Sequence, residues 1–187
     1  MTTETRRSAW IALGQVALVL LSVGLGFGLA EWRQARADTA RTELAVRGAV
    51  RELEANRERV QEALGYHETL FDSLDTGATT RLELRPAPLV DTSWETMQAS
   101  GVAADLPYAV AEALAGVHEM QTTYQEIARM NLGLLYFGNV FGSDRLPSDA
   151  RGYAPSISDL RYFEHELLRL YDAALGALGA AGFDVET

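Results

Sequence analysis

Residues 9–30 (AWIALGQVALVLLSVGLGFGLA) run for 22 positions without a charge, and only Gln15 among them is strongly polar. At about 1.5 Å per residue, a helix over this stretch is about 33 Å long, enough to cross a hydrocarbon core of about 30 Å. Trp10 and Trp32 bracket the run, where amphipathic indoles anchor at the headgroup level, and Arg6, Arg7, Arg33 and Arg36 flank it. The pattern predicts a transmembrane helix. A cleaved signal peptide is the competing reading, through Gly28-Leu29-Ala30; its apolar core spans about 7–15 residues, shorter than this run. Ser22/Gly26 and Gly24/Gly28 form two small-xxx-small pairs, a spacing that lets another membrane helix approach closely. The general frequency of glycine in membrane helices accounts for them equally well.

Behind this span the period changes to that of an amphipathic helix. No proline occurs from Glu31 to Leu74, and Val46, Val50, Leu53, Arg57, Val60, Leu64, His67, Phe71 and Leu74 follow alternating steps of four and three. Such a seam fits a coiled-coil homodimer or one helix of an intramolecular bundle. The amphipathic helices further along the chain favour the bundle. Asp75-Thr76-Gly77 ends the helix, and 78–91 reads as a proline-containing connection with room for one short strand. Thr92-x-x-Glu95 is a capping-box pattern for a short helix closed by Gly101. A long helix from about Asp105 to Val140 is expected to turn Val110, Leu114, Val117, Tyr124 and Ile127 inward. A last helix over 159–179, capped by Ser156 or Ser158, is expected to bury Leu160, Phe163, Leu167, Leu170, Ala174 and Leu178. The fold class predicted is all-α: a basic tail (1–8), a transmembrane helix (9–30), a helical stalk (31–45) and a helical bundle (46–187).

Met130–Ser143 (MNLGLLYFGNVFGS) carries no charge, and Leu132, Leu134, Leu135, Tyr136, Phe137, Val140 and Phe141 make it a candidate docking patch. In an up-down bundle the helix 107–140 runs back against 31–74, which brings this patch to the membrane-proximal end. There it docks on a membrane partner or the lipid interface, or else caps the bundle core.

Charge then refines the picture. The chain has 16 basic and 26 acidic residues, a net charge of −10, and no cysteine. A nucleic-acid binder needs a basic footprint, and a disulfide scaffold or thiolate site needs cysteine; both are excluded. Residues 1–60 hold nine arginines and seven acids (+2), whereas 61–187 hold seven arginines and nineteen acids (−12), so the acidity belongs to the bundle. Orientation stays open. Two arginines before the span and four soon after (Arg33, Arg36, Arg41, Arg47) place the bundle in the cytoplasm by the positive-inside rule, while an N-terminal signal anchor exports the domain behind it.

Each histidine precedes a glutamate: His67-Glu68, His118-Glu119 and His165-Glu166. Zinc-protease spacing needs a second histidine four residues on, where Phe71, Thr122 and Arg169 stand. Di-iron spacing needs a glutamate three residues before, where Leu64, Ala115 and Tyr162 stand. No catalytic, cofactor-binding or metal-ligating set is therefore expected. His67 reads as a satisfied core residue, and Arg57 is expected to pair with Glu112, Glu119 or Glu126.

Gly14-Gln15, Leu18-Val19, Trp32, the arginine-rich helix beyond it, and the block Trp94-Glu95-Thr96-Met97-Gln98-Ala99-Ser100-Gly101 together resemble an uncharacterised bacterial family of single-pass membrane proteins. That family shows Gly-Glu near the start of the membrane helix and Asn-Trp at its exit. This chain has Gln15 and Glu31 at those places. The resemblance covers residues 10–101 and brings no activity with it. The function expected is a non-enzymatic accessory or scaffold subunit in the bacterial inner membrane. Its partners would be the lipid bilayer and other membrane subunits, for example of an energy-transducing complex. The alternative is a single-pass sensory or signalling module with a helical ligand- or partner-binding domain.

Overall fold

A computed structural model describes residues 3–76, 83–141 and 150–185, with side chains for 18, 25–74, 76, 83–136 and 151–185. Five α-helices occur in order: α1 (Thr3–Asp75), α2 (Thr92–Ala99), α3 (Val102–Asp105), α4 (Tyr108–Phe141) and α5 (Ala154–Ala180). A 3-10 turn, Ala150–Tyr153, leads into α5. No strand occurs among the described residues, so the architecture is all-α. Residues 83–91, where one strand had room, form an irregular strap.

The chain divides into two compact units, Met1–Thr42 and Glu43–Thr187. In the first, α1 exposes Leu18, Leu25, Phe27, Leu29 and Trp32, and the Arg36 guanidinium stacks 4.3 Å above the Trp32 ring. Gly26 and Gly28 are exposed as well, and a Cβ on either would meet nothing within 4 Å. No helix of the described residues is long and apolar enough to cross a membrane. The backbone of 9–30 is helical within α1, but Trp10, Ser22, Gly24 and most other side chains of that span lie outside the described ones.

The second unit is built on three seams. In α1 the inward residues are Val46, Ala49, Val50, Leu53, Asn56, Val60, Ala63, Leu64, His67, Leu70 and Leu74. In α4 they are Val110, Leu114, Val117, Gln121, Tyr124, Ala128, Asn131 and Leu135, a strict alternation of four and three. In α5 they are Ile157, Leu160, Glu164, Leu167, Tyr171, Ala174 and Leu178. Several sequence expectations give way here, and Leu70 and Ala128 are the buried residues where Phe71 and Ile127 were expected inward. Glu164 and Tyr171 take the inward places expected for Phe163 and Leu170, because buried partners satisfy their polar groups and strict heptad spacing then decides. Asn56 turns inward while Arg57 lies at the margin, paired at 2.8 Å with Asp172 of α5 rather than with an acid of α4. Both partners of that pair are substantially exposed, which limits its worth to a few tenths of a kcal/mol, about 0.2–1.

The helix ends also differ from the capping expected. Asp91 precedes α2 without a side-chain cap, and Glu52 of α1 caps the helix from outside. Its carboxylate accepts from the Thr92 hydroxyl at 3.0 Å, the Ser93 hydroxyl at 2.9 Å and the Ser93 N–H at 3.1 Å. An anion at a helix N-terminus meets the orphan N–H groups and the positive end of the dipole, so a tertiary contact replaces the local box. Tyr153 precedes α5 with Pro155 in its first turn, so neither Ser156 nor Ser158 caps it. The far end of α5 closes on Gly182 at φ +85°, with Phe183 N–H donating to Leu178 O and Gly182 N–H to Gly179 O. That pairing needs a left-handed residue, which glycine adopts at no steric cost.

Cross-helix contacts fix the direction of each element. Along α5, Asp172 meets Arg57, Glu164 meets His67, and Arg151 just before it reaches Leu74 O, so α5 is antiparallel to α1. Tyr171 meets Gln121, Glu164 meets Tyr124, and Ser156 O meets Asn131, so α5 is antiparallel to α4 as well. Within the bundle α1 and α4 therefore run parallel. This overturns the up-down expectation. The strap carries the chain back down α1, and the apolar end of α4 lies where α1 ends rather than where it enters the bundle. The connection is long enough to return before the next helix starts, which a short loop could not do.

The chain has no cysteine, so single spin labels can be placed freely. With labels at Arg51, Glu119 and Met130, the Arg51–Met130 distance should exceed Arg51–Glu119 by about 10–15 Å, from a rise of 1.5 Å per residue. An antiparallel α4 would reverse the order in a pulsed electron–electron measurement.

Candidate functional site

The densest chemistry lies in the bundle interior. His67 of α1, Tyr124 of α4 and Glu164 of α5 are all fully buried. His67 Nδ1 stands 2.8 and 3.0 Å from the two Glu164 oxygens, and the Tyr124 hydroxyl donates to Glu164 Oε1 at 2.8 Å. The strap closes both ends of this chain. Ala87 N–H donates to the Tyr124 oxygen at 2.8 Å, and Arg85 N–H donates to His67 Nε2 at 3.4 Å. An accepting Nε2 assigns the proton to Nδ1, so the hydrogen-bond pattern specifies a neutral imidazole donating to a carboxylate.

Each member is placed by its seam. A buried carboxylate without donors costs several kcal/mol or more, about 2–7 even for a neutral polar group; here an N–H and an O–H meet it. Burial pushes the Tyr124 phenol far above its ordinary range, and the neighbouring Glu164 charge adds to the shift, while the Ala87 N–H works against it. One layer away, Gln121 donates to the Tyr171 hydroxyl at 2.9 Å. Burial is the main cause that pushes the Tyr171 phenol up to about 12.

Further side chains hold the strap along its length. Tyr66 donates to Glu83 O at 2.7 Å. Asn56 makes a two-point contact with Val90, its amide donating to the carbonyl and its oxygen accepting from Val90 N–H. Side chains of two helices thus supply the partners that a neighbouring strand would otherwise give these backbone groups.

A carboxylate holding an imidazole in one tautomer is the orienting half of a general-base pair. In this protein the working nitrogen faces the strap backbone, and none of the three side chains is exposed. The arrangement therefore joins α1, α4, α5 and the strap. Among the described residues no group of three or more His, Asp or Glu side chains is arranged to hold a metal ion. His165 sits on the surface, 3.7 Å from Glu68. His118 Nδ1 is buried without a protein partner, and His118, Glu52, Ser93 and Gln121 help line a cavity of about 20 Å³.

The candidate patch is split. Leu135 is buried in the core, while Met130, Leu132, Leu134 and Tyr136 are exposed; Phe137, Val140 and Phe141 lie outside the described side chains. Sequence reasoning placed His67 in the core but missed Glu164, Asn56 and Gln121. The signal that finds them is the strict three–four alternation, which runs through these polar positions without a break.

Tyr124→Phe leaves the Ala87 N–H without an acceptor and Glu164 one donor short, and should lower unfolding free energy in urea by about 1–3 kcal/mol. For Tyr171 the fold favours the neutral phenol. Its contribution is complete below the ordinary phenol range near 10 and is lost as pH rises through about 12. A spectrophotometric titration should therefore contain a tyrosine step near 12 that Tyr171→Phe removes.

Comparison with protein-family models, curated proteins and solved structures finds no match for this chain.

Proposed function

We propose that the protein is a single-pass, membrane-anchored accessory or scaffold subunit of the bacterial inner membrane, whose bundle docks on a larger membrane complex. The observation that carries this reading is the surface of α1 in the first unit. Leu25 and Phe27 are 74% and 70% exposed and belong to a 22-residue uncharged stretch, 9–30. Apolar side chains on all sides of a helix need lipid or another protein around them. The exposed Trp32 with Arg36 over its ring suits the headgroup boundary, where amphipathic aromatics and arginine gather.

Docking is supported by the exposed Met130, Leu132, Leu134 and Tyr136, which lie at the end of the bundle where α1 stops and so offer a surface to an extramembrane part of such a complex. A catalytic role finds no support in the interior cluster, because His67, Glu164 and Tyr124 have no exposed surface and their hydrogen bonds are made within the protein.

Carbonate extraction at high pH should leave the chain in the membrane fraction. Purification in mild detergent followed by native mass spectrometry should retain a second subunit. Leu132→Glu with Leu134→Glu should release that subunit while helical circular dichroism is unchanged. A chain that extracts with carbonate and migrates alone in every mild detergent overturns the reading.

A further inference from the structure

We propose that the His67–Glu164–Tyr124 cluster is a proton-operated clasp on the strap 83–91, in which proton uptake at His67 Nε2 releases the strap at Arg85. The inference rests on the bundle alone and stands apart from the docking reading.

Two requirements compete at one imidazole. With His67 neutral, Nδ1–H serves Glu164 and the Nε2 lone pair accepts the Arg85 N–H. The strap is held, but the Glu164 charge is buried with no opposite charge beside it. Proton uptake turns the pair into an imidazolium–carboxylate ion pair and neutralises that charge. The new Nε2–H then faces the Arg85 N–H, donor against donor, and the strap loses its acceptor there. Each state satisfies one polar group, the buried Glu164 carboxylate or the part-buried Arg85 N–H, and leaves the other wanting, which is the condition for a two-state element biased by a proton.

The groups around His67 come from every element packed against it. From α5 comes Glu164, and from α4 the Tyr124 hydroxyl, whose one proton is committed to Glu164. From α1 the Tyr66 ring stands edge-on, 5.5 Å between centroids. From the strap comes the Arg85 N–H, while the Arg85 guanidinium is turned to Glu83 and the face of Tyr66. The pair His165–Glu68, 3.7 Å apart, lies exposed on the outer side of the same helices. Ala87 and Val90 stay anchored on Tyr124 and Asn56, so release is local to the Arg85 end.

The test is amide hydrogen exchange on the full chain in detergent micelles at pH 8 and pH 5.5, corrected for intrinsic rates. Loss of one hydrogen bond should lower protection of the strap peptide containing Arg85 by about fivefold at pH 5.5, with α4 and α5 unchanged. In His67→Gln, which cannot take up the proton, strap protection should be the same at both values. Equal protection in the wild type, or the same pH difference in His67→Gln, overturns the proposal. If His67→Gln loses its helical circular dichroism, nitrogen-15 spectra of the wild type decide. The Arg85 amide must shift with the same midpoint as the His67 ring nitrogens; an Arg85 amide that stays fixed from pH 8 to 5.5, or follows His165 instead, overturns it.

Discussion

A single buried carboxylate sets the terms for the bundle. Glu164 has no exposed surface, so its charge has to be met from inside the fold, and the donors that meet it come from α1 and α4. Those donors are in turn completed by the strap through Arg85 and Ala87. Four segments are therefore tied at one point, and none can shift register without leaving a buried polar group unpaired. Apolar packing of Leu160, Leu167, Val60 and Leu114 around it drives collapse. Apolar contacts alone tolerate sliding by a heptad, whereas the polar knot does not.

The same constraint explains why the strap is irregular and still ordered. It lies against α1 and α4 with Leu84 and Ala87 buried, and no neighbouring strand among the described residues completes its backbone hydrogen bonds. Tyr66, His67, Asn56 and Tyr124 supply partners in its place, and Glu52 takes over where α2 begins. This lateral fixing permits the parallel course of α1 and α4, since the chain must travel the length of the bundle between them. The apolar end of α4 is thereby carried to the end of the bundle where α1 stops.

Much of this was legible in the sequence. Helix-forming composition and alternating three–four steps specify an all-α chain, and prolines confined to connections or a first turn mark its breaks. His67 was readable as a core residue because it sits on the seam of Leu53, Val60 and Leu74. Phe163 and Leu170 misled, because side-chain hydrophobicity outweighs spacing when partners are unknown. Only a known donor makes an inward Glu164 cheaper than an inward Phe163, and a one-dimensional pattern carries no donors. Arg57 misled in the same way, since an acid on any neighbouring helix fits it equally well in sequence.

What the sequence alone determined is local and periodic: an uncharged 22-residue run, the helical class, the three–four spacing of inward positions, and a net charge of −12 over residues 61–187. These arise from the side chains' own solvation and from backbone geometry, which need no neighbour. Direction and pairing were decided only by tertiary structure. The parallel course of α1 and α4, the external cap of α2 by Glu52, and the His67–Glu164–Tyr124 knot rest on contacts between residues from 25 to 115 positions apart. Contacts at that separation are fixed by which polar groups can be satisfied together, and no single segment contains that information.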